Sequence, residues 1–160
     1  MKKTIFSFTS LSLIALTTFI YSCDKDDDNN TPANDMYNIS ATMSPAQETG
    51  TLNGSPSGSG STTGTYNATT NSLQYNVTWT GLTGPATLGH FHGPALAGAT
   101  ANPVITFNLV NSGAAGTASG TVTLTDAQET DLLGGRWYAN IHTQTNGGGE
   151  IRGQVSATHQ

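Results

Sequence analysis

Three histidines are the residues of this sequence whose types and spacing best suit metal binding. His90 and His92 lie two residues apart in GHFHGPALAG, and His142 lies in YANIHT. Side chains of a β-strand alternate between its faces, so His90 and His92 would share one face, with Phe91 on the other. Their Cα atoms would be about 7 Å apart, close enough for both rings to reach one ion. A third imidazole from a neighbouring strand would complete an open site for Zn²⁺ or Cu²⁺.

The same histidines have other uses that the sequence leaves open. Imidazole nitrogens donate and accept hydrogen bonds, and a chain rich in Ser, Thr and Asn offers many polar partners. Structural hydrogen bonds that link loop carbonyls are therefore the favoured interpretation, and a metal site is the second. A pH-dependent or ligand-binding role is the third, because histidine titrates near neutral pH.

Arg152 is the next residue of chemical interest, in GGGEIRGQ. We expect it to form a structural ion pair with Glu48 or Glu150. The alternative is an arginine fork that binds a carboxylate or sulfate of a ligand. Glu48 and Glu150 would suit a glycosidase if they lay about 5–10 Å apart across an open cleft, but no spacing in the sequence indicates such a pair. No catalytic residue is assigned.

Composition limits the partners of this chain. Charged residues make up 9% of it, and the formal net charge is −5. Without Lys2 and Lys3, three basic residues remain against ten acidic ones. Phosphate binding requires clusters of basic residues, so we expect no nucleic-acid partner. A protein or polysaccharide ligand remains open.

The N-terminal part of the chain has the composition of export and tethering segments. Residues 1–22 start with Met-Lys-Lys and continue as an apolar run, which is typical of a signal peptide. Cys23 is the only cysteine and the expected lipidation site. Because Tyr21 stands where lipoprotein signals usually have a small residue, a membrane-spanning anchor or plain secretion is the alternative. Residues 23–34 are an acidic flexible tether that resembles the signals of cell-surface bacterial lipoproteins. We expect a domain at 35–160, held at the outer membrane by its lipid only.

The elements that would position these residues are short strands. Residues 37–43 alternate apolar and polar side chains, and residues 62–80 alternate on both sides of a turn at 71–72, which predicts a β-hairpin. A capping-box sequence at 125–128 predicts one short helix at 126–133. Further strands are predicted at 86–92, 103–110, 120–124, 136–143 and 149–157. Seven or eight short strands with one helix indicate an all-β fold, a Greek-key sandwich or barrel.

Several motifs together resemble the CHRD domain, which is named from chordin. They are Ala46-Gln47-Glu48, HFHGPA at 90–95, LTDAQETDLLGG at 124–135 and NIHTQTNGGGEIRGQ at 140–154. The resemblance covers residues 36–157 and implies an immunoglobulin-like β-barrel or sandwich without a settled activity. Members typically have prolines soon after the Gln-Glu pair, where this chain has Thr49-Gly50-Thr51. We therefore expect this first loop to differ, but not the fold.

The family's limited similarity to copper-zinc superoxide dismutases does not extend to their metal sites. Those enzymes need more histidines than the four present here, and His159 lies one residue from the end. A two-metal redox site is therefore excluded, but a site for a single ion that takes no part in redox chemistry is not. We expect a surface-anchored, non-catalytic domain for binding or cell-envelope architecture. The alternative is a copper- or zinc-binding protein that uses His90, His92 and His142, and a glycosidase-like enzyme comes third.

Overall fold

The fold is a sandwich of two antiparallel β-sheets with one short helix, as the sequence predicts. The computed structural model describes residues 35–160. The predicted signal peptide (1–22), the tether (23–34) and the lipidation site Cys23 lie outside the described residues. Among residues 35–160, no helix combines the length and the apolar character that a membrane span requires.

Six strands form the larger sheet. They are β1 Met36–Met43, β2 Ser59–Asn67, β3 Ser72–Thr80, β6 Leu109–Val110, β7 Gly116–Thr123 and β10 Ser156–His159. Their order across the sheet is β10-β1-β2-β3-β7-β6. The predicted hairpin is the β2–β3 pair, in which Tyr66 lies opposite Leu73. The Asn67 side chain accepts a hydrogen bond from the backbone N–H of Thr70 at 3.0 Å, so β2 ends at Asn67 and the turn follows at once.

Four strands form the smaller sheet, which carries the histidines. They are β4 Ala86–His92, β5 Pro103–Thr106, β8 Tyr138–Thr143 and β9 Ile151–Gln154. Their order is β5-β4-β8-β9. β4 and β8 pair antiparallel, with His90 opposite Asn140 and His92 opposite Tyr138. This pairing brings both histidines of β4 next to the strand that carries His142.

Alternating apolar side chains form the core between the sheets. All the inward residues of β3 are buried: Leu73, Tyr75, Val77 and Trp79. From the smaller sheet, Phe91 packs edge-on against Tyr75, with ring centroids 5.3 Å apart. Such aromatic pairs add about 0.5–1.5 kcal/mol to the free energy gained by burying their apolar area. Because Phe91 faces this core, its neighbours His90 and His92 lie on the opposite, outer face of the sheet.

Two predicted strands are each divided between the two sheets, so residues 35–160 form ten strands rather than seven or eight. The segment 103–110 forms β5 in the smaller sheet and β6 in the larger one, with the buried Phe107 between them. The segment 149–157 likewise contributes β9 and β10 to different sheets, on either side of the buried Val155. Strands that switch sheets keep their period-two pattern, so alternation alone does not show where the switch occurs.

Residues 35–160 contain one α-helix, α1 at Asp126–Leu133, as predicted, besides a single 3-10 turn at Pro45–Gln47. The Thr125 side chain accepts a hydrogen bond from the Gln128 backbone N–H, and the Gln128 side chain accepts one from the Thr125 N–H. This reciprocal pair is the capping box expected from the sequence. Leu132 is fully buried and packs the helix against the core.

Loops cover the outer face of the smaller sheet. They comprise residues 44–58, 93–102 and 144–150. Ser44 and Arg152 exchange backbone hydrogen bonds of 2.9 and 3.2 Å, which hold the first loop against β9. The Asn53 backbone N–H donates to the Asn146 side chain at 2.8 Å, which joins this loop to the third. Polar side chains of β4, β8 and β9 are consequently buried between the sheet and these loops.

Candidate functional site

Three histidines meet on the outer face of the smaller sheet. One ring nitrogen from each of His90, His92 and His142 lies within 4.8 Å of the other two. The closest pair, His90 Nδ1 and His142 Nε2, is 3.2 Å apart. Tetrahedral Zn²⁺ with nitrogens at about 2.1 Å holds its ligand atoms about 3.4 Å from one another. Small ring rotations would therefore bring all three nitrogens to one ion. The rings are only 7–9% exposed.

Backbone carbonyls orient two of the three rings. His92 Nδ1 lies 2.9 Å from the Ala101 carbonyl oxygen, and His142 Nδ1 lies 3.1 Å from that of Gly147. A carbonyl only accepts, so we assign the ring proton to Nδ1 in both; the Nε2 of His92 then has a free lone pair, and the Nε2 of His142 can accept a hydrogen bond from His90 Nδ1. His92 Nε2 is buried without a hydrogen-bond partner in the described part of the chain. Metal-binding histidines usually have this arrangement, with the nitrogen remote from the metal donating to a carbonyl or carboxylate.

Burial favours the neutral form of all three imidazoles. It lowers the pKa of His90. It also lowers the pKa of His92, against the hydrogen bond to Ala101, and the charges of His90 and Arg152 lower that pKa further. For His142, burial outweighs the hydrogen bond to Gly147, and the pKa falls to about 4. Neutral imidazole is the form that binds metals, so at neutral pH no proton has to leave these rings first.

Tyr138 lies between the histidines and Arg152. Its ring is parallel to that of His92, with centroids 4.7 Å apart and planes 4° apart. The Arg152 Cζ atom lies 3.5 Å from the Tyr138 ring centroid. Because β4 and β9 flank β8, His92 and Arg152 cover opposite faces of the tyrosine ring. The Tyr138 hydroxyl also donates to the carbonyl of Ala101 and accepts from its N–H, each at 3.3 Å. This stack restricts the orientation of His92.

Glu150 is a fully buried carboxylate that binds neutral donors. It accepts hydrogen bonds from the Thr83 N–H at 2.6 Å and the Thr83 hydroxyl at 2.5 Å. The Thr143 hydroxyl at 2.6 Å and the Asn146 side-chain amide at 3.2 Å supply two more. Burial raises the pKa of Glu150, but these hydrogen bonds together outweigh it and hold the pKa below its ordinary value. The four donors stabilise the charge without a cation.

The ion pair expected between Arg152 and Glu48 or Glu150 is not formed within the described residues. Arg152 instead donates from Nη2 to the Ala99 carbonyl oxygen at 2.7 Å. The one ion pair found in residues 35–160 lies elsewhere, at the C-terminal end of α1.

The physical reason is a turn immediately before the strand. Gly149 has a φ of +126°, a left-handed conformation that glycine adopts without strain. Strand alternation therefore begins only at Ile151, so Glu150 does not follow the strand pattern that put its side chain beside Arg152. The alternation of side chains in the sequence does not show at which residue β9 starts.

The two carboxylates do not form the open pair of a glycosidase. Glu48 and Arg152 line a cavity of about 240 Å³ that does not include Glu150. Glu150 is 0% exposed, and its hydrogen bonds hold it within the protein. Burial raises the pKa of Glu48 to about 7, against the positive charge of Arg152, which lowers it. The full burial of Glu150 and its position outside this cavity weigh against acid–base catalysis by this pair.

Sequence reasoning missed three residues that support the site: Thr83, Ala101 and Gly147. Ala101 and Gly147 act through backbone carbonyls, which every residue type possesses, so their side chains gave no signal. Thr83 lies in an ordinary loop whose contact with Glu150 depends on tertiary packing. The glycine run TNGGG at 145–149 was the only sign that the backbone approaches the site closely.

Comparison with known proteins gives one family match. A family model described as the CHRD domain matches residues 39–155. No curated protein and no solved structure matches the chain. The matched range contains all three histidines, Arg152 and both glutamates described above.

Proposed function

Because the chain belongs to the CHRD domain family, we propose that it is a non-catalytic binding domain whose His90, His92 and His142 bind one Zn²⁺ or Cu²⁺ ion. The observation that carries this proposal is the buried Nε2 of His92, which has no partner among the described residues. It lies in a cluster whose ring nitrogens are within 4.8 Å of one another. A buried nitrogen without a hydrogen bond is costly, and a metal ion would satisfy it.

Structural hydrogen bonding alone explains less of this geometry. It explains the contacts of His92 with Ala101, of His142 with Gly147 and of His90 with His142. It leaves the Nε2 of His92 unused, and it gives no reason for the ring of His92 to join the other two. Metal coordination explains both the Nδ1 hydrogen bonds and the convergence of the remaining nitrogens.

Because the cluster is buried, we expect it to retain the metal ion rather than to catalyse a reaction at it. The three rings are 7–9% exposed beneath the loop that contains Ala101. A catalytic zinc needs a coordination position open to substrate as well as to water. One ion with three histidine ligands also lacks the second metal of a superoxide dismutase site. We therefore assign the domain a binding or structural role in the cell envelope, with a polysaccharide or protein as a further partner.

The proposed location is the outer surface of a bacterial outer membrane, with a lipid on Cys23 as the anchor. Its support is the apolar run in residues 1–22, the single cysteine that follows, and the acidic segment after it. An exported protein with one unpaired thiol is exposed to oxidation, and acylation removes that thiol.

Metal retention tests the proposed site. The full-length chain is equilibrated with Zn²⁺ or Cu²⁺, freed of unbound metal, and analysed by elemental mass spectrometry. We expect the wild type to retain about one ion per chain and the double variant His90→Ala/His92→Ala to retain none. His159→Ala is the matched control, because His159 is the one histidine outside the cluster. His142→Gln, with a side chain of similar size, tests the third ligand with less disturbance of packing.

Two results would contradict the metal proposal. One is equal metal content in the wild type and in a double variant whose circular dichroism matches the wild type. The other is no retained metal in either protein. Loss of metal from His159→Ala alone would place the site elsewhere on the chain.

A further inference from the structure

A polar cavity lies beside the histidine cluster, on the far side of Tyr138. Its volume is about 240 Å³, which suits a ligand of monosaccharide size, since drug-sized ligands occupy about 300–1,000 Å³. Residues of β8 and β9 line it from the sheet, and residues of all three loops form its walls. We call it the Arg152 pocket and define it by Glu48, Thr51, Asn53, Asn140, Gly149 and Arg152.

Arg152 gives this pocket a buried positive charge. The residue is 2% exposed, although arginine is almost never fully buried unless it is paired. Its contacts are the face of Tyr138 and the Ala99 carbonyl oxygen. No carboxylate within residues 35–160 forms an ion pair with it. Glu48 lies near enough for the charge of Arg152 to lower its pKa but forms no ion-pair contact, so the planar guanidinium fork can still bind a ligand carboxylate.

Two oxygen atoms in the same pocket lack hydrogen-bond donors. Asn140 Oδ1 and Glu48 Oε1 are buried and have no partner in the described part of the chain. Asn140 is only 3% exposed. Gly149 allows the two side chains to approach each other, because a Cβ atom there would lie 2.5 Å from Asn140 and 2.7 Å from Glu48. A ligand that satisfies these oxygens must supply hydroxyl or amino hydrogens.

We propose that the Arg152 pocket binds a polyhydroxy carboxylate of monosaccharide size, such as a hexuronate. The carboxylate pairs with the Arg152 guanidinium, and ring hydroxyls donate to Asn140 Oδ1 and Glu48 Oε1. The ligand is either a free sugar acid or a uronate unit of an acidic polysaccharide, because both present the same groups.

The tyrosine in this pocket argues against a neutral sugar. Neutral sugars are commonly held by an exposed aromatic face, but His92 and Arg152 cover the two faces of Tyr138. Recognition therefore depends on charge and hydrogen bonds. Arg152 supplies the charge, and Asn140 and Glu48 supply the acceptors.

Calorimetric titration of the full-length, metal-free chain tests the proposal. D-Glucuronate is the probe, and D-glucose and acetate are the control ligands because each lacks one of the two required groups. We expect glucuronate to bind at least about tenfold more tightly than either control. Arg152→Gln should weaken glucuronate binding at least about tenfold, whereas the matched control Arg136→Gln should leave it unchanged.

Two further variants keep the test decisive. Because Arg152 is buried, Arg152→Gln risks unfolding, so Thr51→Trp is included to fill the pocket from its exposed rim. We expect Thr51→Trp to abolish binding while the melting temperature stays near that of the wild type. Leu96→Trp adds the same ring at an exposed loop position outside the pocket lining, and it should bind glucuronate as the wild type does.

The binding results distinguish a free sugar acid from a polysaccharide unit as the ligand, and some of them would contradict the proposal. Binding of monomeric glucuronate indicates a free sugar acid or a chain end, and binding of polyglucuronate alone indicates an internal unit of a polymer. No binding of either would overturn the proposal. Equal affinity of folded Arg152→Gln and wild type would also overturn it, as would binding that disappears in Leu96→Trp but not in Thr51→Trp.

Discussion

The imidazole of His92 lies flat against the phenol ring of Tyr138, with ring planes 4° apart and centroids 4.7 Å apart. The two side chains also bind the same residue, since His92 Nδ1 and the Tyr138 hydroxyl both donate to the Ala101 carbonyl oxygen. His92 is therefore held by a ring on one face and a carbonyl at one edge. Both contacts leave its Nε2 directed toward the other histidines.

Removal of the stacking ring should weaken metal binding. Tyr138→Ala deletes the surface on which His92 rests, so we expect metal affinity to fall about 10–100-fold, the usual effect of losing a residue that orients a ligand. Tyr138→Phe keeps the ring and loses only the hydroxyl, and it should bind metal within about threefold of the wild type. Competition with a chromophoric chelator measures both affinities. Similar affinities of the two variants would contradict a positioning role for the ring.

Two buried threonines should respond oppositely to the same substitution. Thr143 is 1% exposed, and its hydroxyl donates to Glu150 and accepts from the Asn146 N–H. Thr143→Val should lower the free energy of unfolding by about 1–3 kcal/mol. Thr62 is also 1% exposed, but its hydroxyl has no partner among the described residues. Thr62→Val should raise the free energy of unfolding by about 1 kcal/mol, because it removes an unpaired polar group. Urea unfolding at one pH compares them, and a stabilising Thr143→Val would refute the assigned role of Glu150.

Glu48 should make the protein less stable as the pH rises. The pKa of its carboxyl is about 7 in the folded chain, against an ordinary 4.5. Between these values the folded state holds more protons than the unfolded state, so this group's contribution to stability declines as the pH rises and is lost above 7. Glu48→Gln cannot ionise. Its stability relative to the wild type should therefore increase by about 1–3 kcal/mol between pH 5 and pH 8. Urea unfolding at both pH values measures the difference, and a constant difference would show that the pKa of Glu48 is not raised.

Substitution of the single cysteine tests the proposed anchor. Cys23→Ser removes the thiol that would carry the lipid, so we expect the protein to leave the membrane fraction and to lose labelling by a palmitate analogue. Asn29→Gln, in the tether, keeps the cysteine and its cleavage site and should remain membrane-bound. Membrane association of Cys23→Ser equal to that of the wild type would instead support a membrane-spanning anchor.

Much of the fold follows from local patterns in the sequence. The alternation of Leu73, Tyr75, Val77 and Trp79 predicted the core face of β3, and the capping box at Thr125 predicted α1. These features depend on neighbouring residues only, which is why the sequence reveals them. The changes of sheet near Phe107 and Val155 depend on how the whole chain packs, and no local pattern marks them.

The site was predictable to a different degree for each residue. Strand parity placed His90 and His92 on one face, and the pairing of β4 with β8 brings His142 beside them. Glu150, one of the two expected partners of Arg152, forms no ion pair with it, because Gly149 interrupts the alternation before Glu150. Ala101 and Gly147 act through their backbone carbonyls, which their side chains do not indicate, so only the folded structure reveals these contacts. Metal binding itself stays a prediction.

The proposed three-histidine metal site is tested most directly by a crystal structure of the zinc-loaded chain. Anomalous diffraction is recorded on both sides of the zinc edge. We expect one strong anomalous peak about 2.1 Å from His90 Nδ1, His92 Nε2 and His142 Nε2. His92 Nδ1 should still lie within hydrogen-bond distance of the Ala101 carbonyl. A zinc peak only at surface carboxylates or at His159, with the three rings arranged as described here, would contradict it.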